Sequence, residues 1–235
     1  MSSAGVISHD TGKIDHMAEQ THSPRWQRTH AAIQYAYTQL ILTTSPERIT
    51  VAELTAHARI HRKTFYPHYS SIEDVYAECV RIISDDMTSH LTALPRPFDY
   101  YDLSRIMFEY YTSTPTIEHI FTSPHTRRMA DDIIAQNTLI SRSIYNPYRN
   151  FTPAEQELIN TFVVYSSVNV WRRWALSGKK VPMSQAITLL GRLIEHGIAD
   201  LRAPYEPDQD AAIATYFAPA TPSTAPSDSD SSSAG

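Results

Sequence analysis

The stretch Ile49–Tyr69, ITVAELTAHARIHRKTFYPHY, leaves this chain few ways to fold. Thr50 and Glu53 stand three apart at the head of an apolar run, the spacing of a capping box, in which hydroxyl and carboxylate satisfy backbone N–H groups at a helix start. Val51, Leu54 and Ala58 then supply one buried face. Arg59-Ile60 reads as a turn with Ile60 as an apolar plug, and a second helix follows over about His61–Tyr66. Phe65 is its core anchor and Tyr69 packs just beyond it. Pro67 disfavours helical geometry at Tyr66, so this helix stops early. Two short helices joined by a tight turn, with the basic residues on the second, make a helix-turn-helix.

Charge points to a partner. The net charge of −5 arises beyond Arg202, where Glu206, Asp208, Asp210, Asp228 and Asp230 are followed by no Lys or Arg. Between Arg25 and Tyr69, six Lys and Arg residues outnumber two Glu, with His30, His57, His61 and His68 alongside. A basic segment in an otherwise balanced body suits a polyanion. The second helix of a helix-turn-helix enters the major groove of double-stranded DNA with its N-terminal residues at the base edges, which assigns His61, Arg62, Lys63 and Thr64 to the bases. Arginine can donate two parallel bonds to guanine, and threonine can touch a thymine methyl. Arg25 and Arg28 are placed to meet flanking phosphates or a groove.

Apolar residues recur at helical spacing through the rest of the chain, with no strand alternation, so the fold class is all-α. Residues 1–23 read as a mobile polar arm, 24–70 as a three-helix DNA-binding domain, 71–202 as a helical regulatory and dimerisation domain, and 203–235 as a disordered acidic tail. The expected helices run from Pro24 to about Leu42, then through the two short elements. Ser70 and Glu73 suggest a second capping box, opening a helix over about Ser71–Leu94. Further spans are Asp102–Ser113, Thr116–Thr122 and Thr126–Ile144. Thr152-Pro153-Ala154-Glu155 combines an N-cap, a first-turn proline and a capping box, and the helix it opens ends at Gly178. A last helix covers about Met183–Leu201.

Several function classes find no support in the sequence. No apolar run is long enough to span a bilayer, and no signal peptide is apparent, so a cytoplasmic protein is expected. Cys79 is the sole cysteine, which excludes an internal disulfide. His57 and His61 lie four apart, but the Arg59 turn falls between them, and no metal or other cofactor is expected. Neither a metalloprotease helix, a phosphate-cradling glycine loop nor a nucleophile elbow is present, so the chain is not read as an enzyme. The rival reading is a helical adaptor or ligand-binding protein without DNA, which would have no use for RKTFYPHY on an exposed short helix.

With these elements in place, the chain resembles the TetR family of bacterial transcription regulators. The resemblance rests on Ile49-Thr50-Val51, Leu54, Ala58, Ile60 and above all Thr64-Phe65-Tyr66 with His68-Tyr69, followed by Glu73 and Val75; it covers about Arg28 to Ile83. It implies phosphate contacts from Thr50, Tyr66 and His68, and a ligand-responsive repressor that binds a palindromic operator as a homodimer. It also implies that the last two helices pair across a dimer core, for which Phe162, Val170, Trp171, Trp174, Leu190 and Ile194 are the candidates, with Gly191 permitting close approach; the same side chains could fill the subunit's own core. The central helices would enclose a small apolar or aromatic effector, with Phe108, Tyr111, Phe121 and Phe162 as pocket candidates among many aromatic residues, including Phe98 and Tyr145.

Two positions depart from the family pattern. Arg59 stands where glycine is usual, which implies a different turn geometry or a left-handed arginine, and adds a cation near DNA. Ile72 stands where a phosphate-binding lysine is usual, which shifts that grip toward Arg59, Arg62 or Lys63.

Overall fold

The structure is a computed structural model and describes residues 23–95, 99–144 and 146–202. The expected N-terminal arm and acidic tail, and Phe98 and Tyr145, lie outside these residues, apart from Ser23 at the first helix. Among the described residues there are nine α-helices and no strand. They are α1 (Pro24–Leu40), α2 (Val51–His57), α3 (Arg62–Phe65), α4 (Ile72–Thr92), α5 (Tyr100–Tyr111), α6 (Pro115–Thr122), α7 (Arg127–Ile144), α8 (Pro153–Leu176) and α9 (Met183–Ile198). None is long and apolar enough to cross a membrane.

Polar caps and prolines set most boundaries. The Thr50 hydroxyl accepts from the Glu53 N–H at 3.2 Å, and Thr152 with Glu155 forms a complete capping box at the start of α8. Ahead of α4 the box lies one residue later than the sequence suggests. Ser71 and Asp74 form it, and the Asp74 carboxylate also accepts from the Ser70 N–H at 2.9 Å. Ser70 and Ser71 both offer a hydroxyl three residues before an acid, so spacing alone does not separate them.

α1, α2 and α3 close around Ile33, Tyr37, Leu54 and Phe65, all fully buried. α4 leaves this head and runs into the second set of helices, where it packs chiefly on α7. A second tie joins the halves beside it: the Ser45 hydroxyl donates to the His125 carbonyl at 3.2 Å, and the Tyr76 hydroxyl donates to Asp132.

α5 and α9 pack closely because α9 has a glycine at the crossing. A Cβ on Gly191 would lie 2.9 Å from Tyr101 Cα and 3.1 Å from its nitrogen. The close approach expected from Gly191 is therefore made within the chain. Gly191→Ala gains about 1 kcal/mol of helix propensity but forces two backbones apart, a strain of about 1–3 kcal/mol. The net expectation is a lower urea midpoint than wild type at unchanged helical content.

Candidate nucleic-acid interface and central cavity

Arg59 closes α2. Its φ of +55° lies in the left-handed region, so the departure from glycine is met by a strained arginine. The Arg59 N–H donates to the Ala56 carbonyl at 3.2 Å and the Ile60 N–H to the Thr55 carbonyl at 3.0 Å. These are the paired bonds of a Schellman ending, with Ile60 folded back on the core. The same device ends α8 with Gly178 at φ +79°. Retaining an arginine at the first of these turns holds a guanidinium beside the start of α3.

α3 presents its polar side to solvent. His61, Arg62, Lys63 and Tyr66 are exposed and Thr64 is half-buried, while Phe65 points inward. Arg62 Nε donates to the Tyr66 hydroxyl at 2.9 Å, so the tyrosine one turn on orients the guanidinium. Thr50 and Arg59 are exposed close by in sequence, and Arg25 and Arg28 are exposed on α1. At the head of α4, Ile72 offers no cation, and Glu73 is exposed next to it.

Among the described residues, carboxylates pair some of the molecule's cations and leave others free, Arg127, Arg172, Arg173, Lys180 and Arg192 of the body among the latter. Arg81, Arg105, Arg128, Lys179 and Arg202 each sit beside a carboxylate. Among the described residues Arg25, Arg28, Arg48, Arg59, Arg62 and Lys63 have no such partner. In the head these six stand against only Glu47 and Glu53 between Arg25 and Tyr69.

His68 does not join this surface in the way sequence reasoning expected. Its ring is half-buried and packs on Trp26, with centroids 4.5 Å apart, while Trp26 stacks on His30 at 4.6 Å. Behind them the Tyr69 hydroxyl donates to Glu78 at 2.6 Å, and His30 Nε2 lies 3.2 Å from the same oxygen. The bond from His30, followed by that from Tyr69, holds the Glu78 carboxyl at about 2 against a usual 4.5, despite partial burial. Sequence periodicity gives Trp26, His30 and Glu78 no special weight, because they meet only when α1, the segment after α3 and α4 converge. Next to Glu78, burial pushes the Cys79 thiol up to about 12, with the Glu78 charge adding to it, so the sole cysteine is a packing residue.

The body encloses a cavity of about 160 Å³ between α4, α5, α7 and α8. Tyr111 and Phe121 line it, as expected. Phe108 does not; it is fully buried against Trp174 with centroids 5.3 Å apart. Phe162 does not either, since it lies on the outer face of α8 and is 49% exposed. Two lining residues that the sequence reading missed are Asn137 and Asn160. A signal for the first was available: Asn137 falls on the apolar stripe of Ile133 and Ile134, where an amide has no packing reason to be.

The residues expected at a dimer seam also divide. Trp171, Trp174, Leu190 and Ile194 are buried in the chain's own core. Phe162 and Val170 remain at the surface of α8. Around them the outer faces of α8 and α9 expose Leu158, Tyr165, Leu189 and Leu193, with Leu158 72% and Leu193 57% accessible. Apolar side chains at helical spacing could not reveal which face points inward, because both faces of α8 are apolar.

No protein-family model and no curated protein matches the chain. Solved structures do. A TetR-family transcriptional regulator from Streptomyces coelicolor matches with a TM-score of 0.51 and 17% identity, over 82% of this chain and 90% of that one. A TetR transcriptional regulator from Streptococcus agalactiae 2603V matches at 0.51 and 20% identity, over 72% and 95%. A protein from Shewanella sp. PV-4 assigned to the same family matches at 0.58 and 13% identity, over 75% and 99%. The chain therefore has the fold of the TetR-family transcription regulators.

The Glu78 cluster gives a prediction in acid. Its carboxyl is lowered in the folded state, so its stabilisation is present above about 4.5 and is lost as pH falls toward about 2. Wild-type stability in urea should fall across that window. Glu78→Gln should be less stable at pH 7 and show a shallower fall, and parallel slopes would remove Glu78 from the account.

Proposed function

We propose that the protein is a cytoplasmic DNA-binding transcription regulator, a repressor that holds a palindromic operator as a homodimer and leaves it when an effector enters the central cavity. One observation carries this reading: exposed Arg59, Arg62 and Lys63 gather on and around α3, in a head whose six Lys and Arg residues have no carboxylate partner among the described residues. Basic residues left in that state suit a polyanion. Arg62, Lys63, His61 and Thr64 are assigned to base edges, and Thr50, Tyr66, Arg59 and Arg28 to the DNA backbone. His68 supports the surface from behind through Trp26, in place of the phosphate contact.

A reading helix of four residues, Arg62–Phe65, covers few base pairs. Two copies related by a two-fold axis double the site. The outer apolar faces of α8 and α9 supply the surface for that pairing, with Leu158, Phe162, Leu189 and Leu193 taking the part once given to the buried tryptophans. An effector that binds better to the DNA-incompetent state lowers operator affinity by a factor of ten for about each 1.4 kcal/mol of that preference.

The test is binding to DNA from the protein's own upstream region. Wild type should retard that fragment in the presence of competitor DNA, with two chains per site and affinity falling steeply with salt. Arg62→Ala/Lys63→Ala should lose the specific complex while keeping its thermal midpoint. Absence of any complex at low salt would sink the proposal.

Arg59→Gly separates fold from grip. Glycine accepts the left-handed turn, so the variant should be about 1 kcal/mol more stable than wild type. It should also bind the operator less tightly through loss of one phosphate contact. Equal DNA affinity would make the turn arginine a bystander.

A further inference from the structure

The head is tied to the body away from both the exposed cations of α3 and the cavity. Tyr76 and Glu78 stand two residues apart on α4, about 200° around the helix, so they face opposite ways. Glu78 takes Tyr69 and His30 from the head. Half-buried Tyr76 donates its hydroxyl proton to Asp132 of α7. Burial, followed by the bond to Asp132, pushes that hydroxyl above its ordinary range, so it remains a donor near neutral pH. A hydroxyl on a carboxylate is a charge-assisted bond, stronger than one between neutral groups.

Two further groups frame this bond. The Arg128 guanidinium lies 5.5 Å from the centre of the Tyr76 ring, 3.8 Å from Asp132 and 3.9 Å from Glu47 in the connection between α1 and α2. Arg128 is 66% exposed, so its ion pairs contribute little by themselves. The Ser45 hydroxyl bonds Glu47 at 2.9 Å and reaches the His125 carbonyl at 3.2 Å. Ser45, Glu47 and Tyr76 thus all meet the short segment from His125 to Asp132. Of these ties to the body, the Tyr76 bond is the one both charge-assisted and partly shielded from water.

Farther along α4 the packing on α7 has its own bonds. The Ser84 hydroxyl donates to the Ile133 carbonyl at 3.4 Å, and Asn137 Nδ2 donates to the Ser84 carbonyl at 3.2 Å and the Thr88 hydroxyl at 2.9 Å. They begin about 12 Å along the helix from Tyr76. These bonds fix the later turns and leave the first two, which carry the head, to be aimed by Tyr76.

We propose that the Tyr76–Asp132 bond positions the head relative to the body and so sets which separation of half-sites a pair of heads accepts. This rests on the regulator reading, in which two copies share one operator. Each base pair added between half-sites moves them about 3.4 Å apart and turns one against the other by about 35°. A head held at a fixed angle rejects that change, and a head free to swing follows it in part. Tyr76 and Asp132 are not among the residues assigned to DNA, nor do they line the cavity, so removing the bond leaves both surfaces as they are.

The experiment uses the full-length protein, the upstream fragment that the wild type retards, and versions of it with one or two base pairs inserted or removed at the centre. Wild type should lose about tenfold or more in affinity when one base pair is inserted. Tyr76→Phe, which removes only the hydroxyl, should lose no more than about threefold at an unchanged thermal midpoint. Asp132→Ala should do the same, and its site is 45% exposed, so it carries the result alone if Tyr76→Phe is unstable. The double variant should be no more permissive than either single one, because all three lack the same bond. A spacing profile as steep as wild type's in either folded variant, or a flat profile in the wild type, overturns the positioning role and leaves the regulator reading intact. Absence of any wild-type complex at low salt overturns that reading, and this inference with it.

Discussion

One carboxylate holds the N-terminal head, α1 to α3, in its orientation. Glu78 receives Tyr69 from the segment behind α3 and His30 from α1, and it does so from the first half of α4. The aromatic stack of Trp26, His30 and His68 closes over this junction. α3 is too short to hold itself. Four helical residues cannot repay the cost of nucleating a helix. Its geometry is imposed by Phe65 beneath it, the left-handed Arg59 turn before it and the Glu78 cluster behind it. The exposed cations are thus carried on a surface whose own contacts are few and whose supports are buried.

The head cannot reorient freely with respect to the body while α4 stays straight. At 1.5 Å per residue, the 21-residue helix spans about 30 Å. Its early turns hold Glu78 and its later turns bring Met87, Leu91 and Thr92 to the cavity wall. Ser45 and Tyr76 add a second connection to the start of α7, whose later residues line the same cavity. The cavity and the head thus share two elements packed against each other, the route by which the proposed function would couple them.

Local chemistry was legible in the sequence, and facing was not. The helix starts at Thr50 and Thr152, the turn at Ile60 and the stop at Gly178 depend on a few adjacent residues, and each is where its chemistry puts it. Phe65 as anchor followed from being the one large apolar side chain in a basic run. By contrast, Trp171 and Phe162 lie on one helix with similar hydrophobicity, yet one is fully buried and the other half exposed. Only the placement of α5, α6 and α9 decides between them. The stack on His68 was hidden for the same reason, since its partner Trp26 is forty-two residues away in sequence. Asn137 alone carried a readable signal that the sequence reading passed over: polarity at an apolar stripe position is a conflict that packing does not explain.

Asn137 joins these strands of the structure because its two ends serve different elements. Its nitrogen bonds the α4 carbonyl of Ser84 and hydroxyl of Thr88, and its oxygen, which no described residue bonds, belongs to a side chain on the cavity wall. A donor bound at that oxygen polarises the amide and strengthens its hold on α4, as consecutive hydrogen bonds in a low-dielectric interior reinforce one another. A purely apolar occupant fills the same volume without touching that link. Occupancy and signal then become separable quantities. In the proposed function, a molecule can enter the cavity and still leave the operator bound, unless it bonds the residue that grips the helix leading to the reading head.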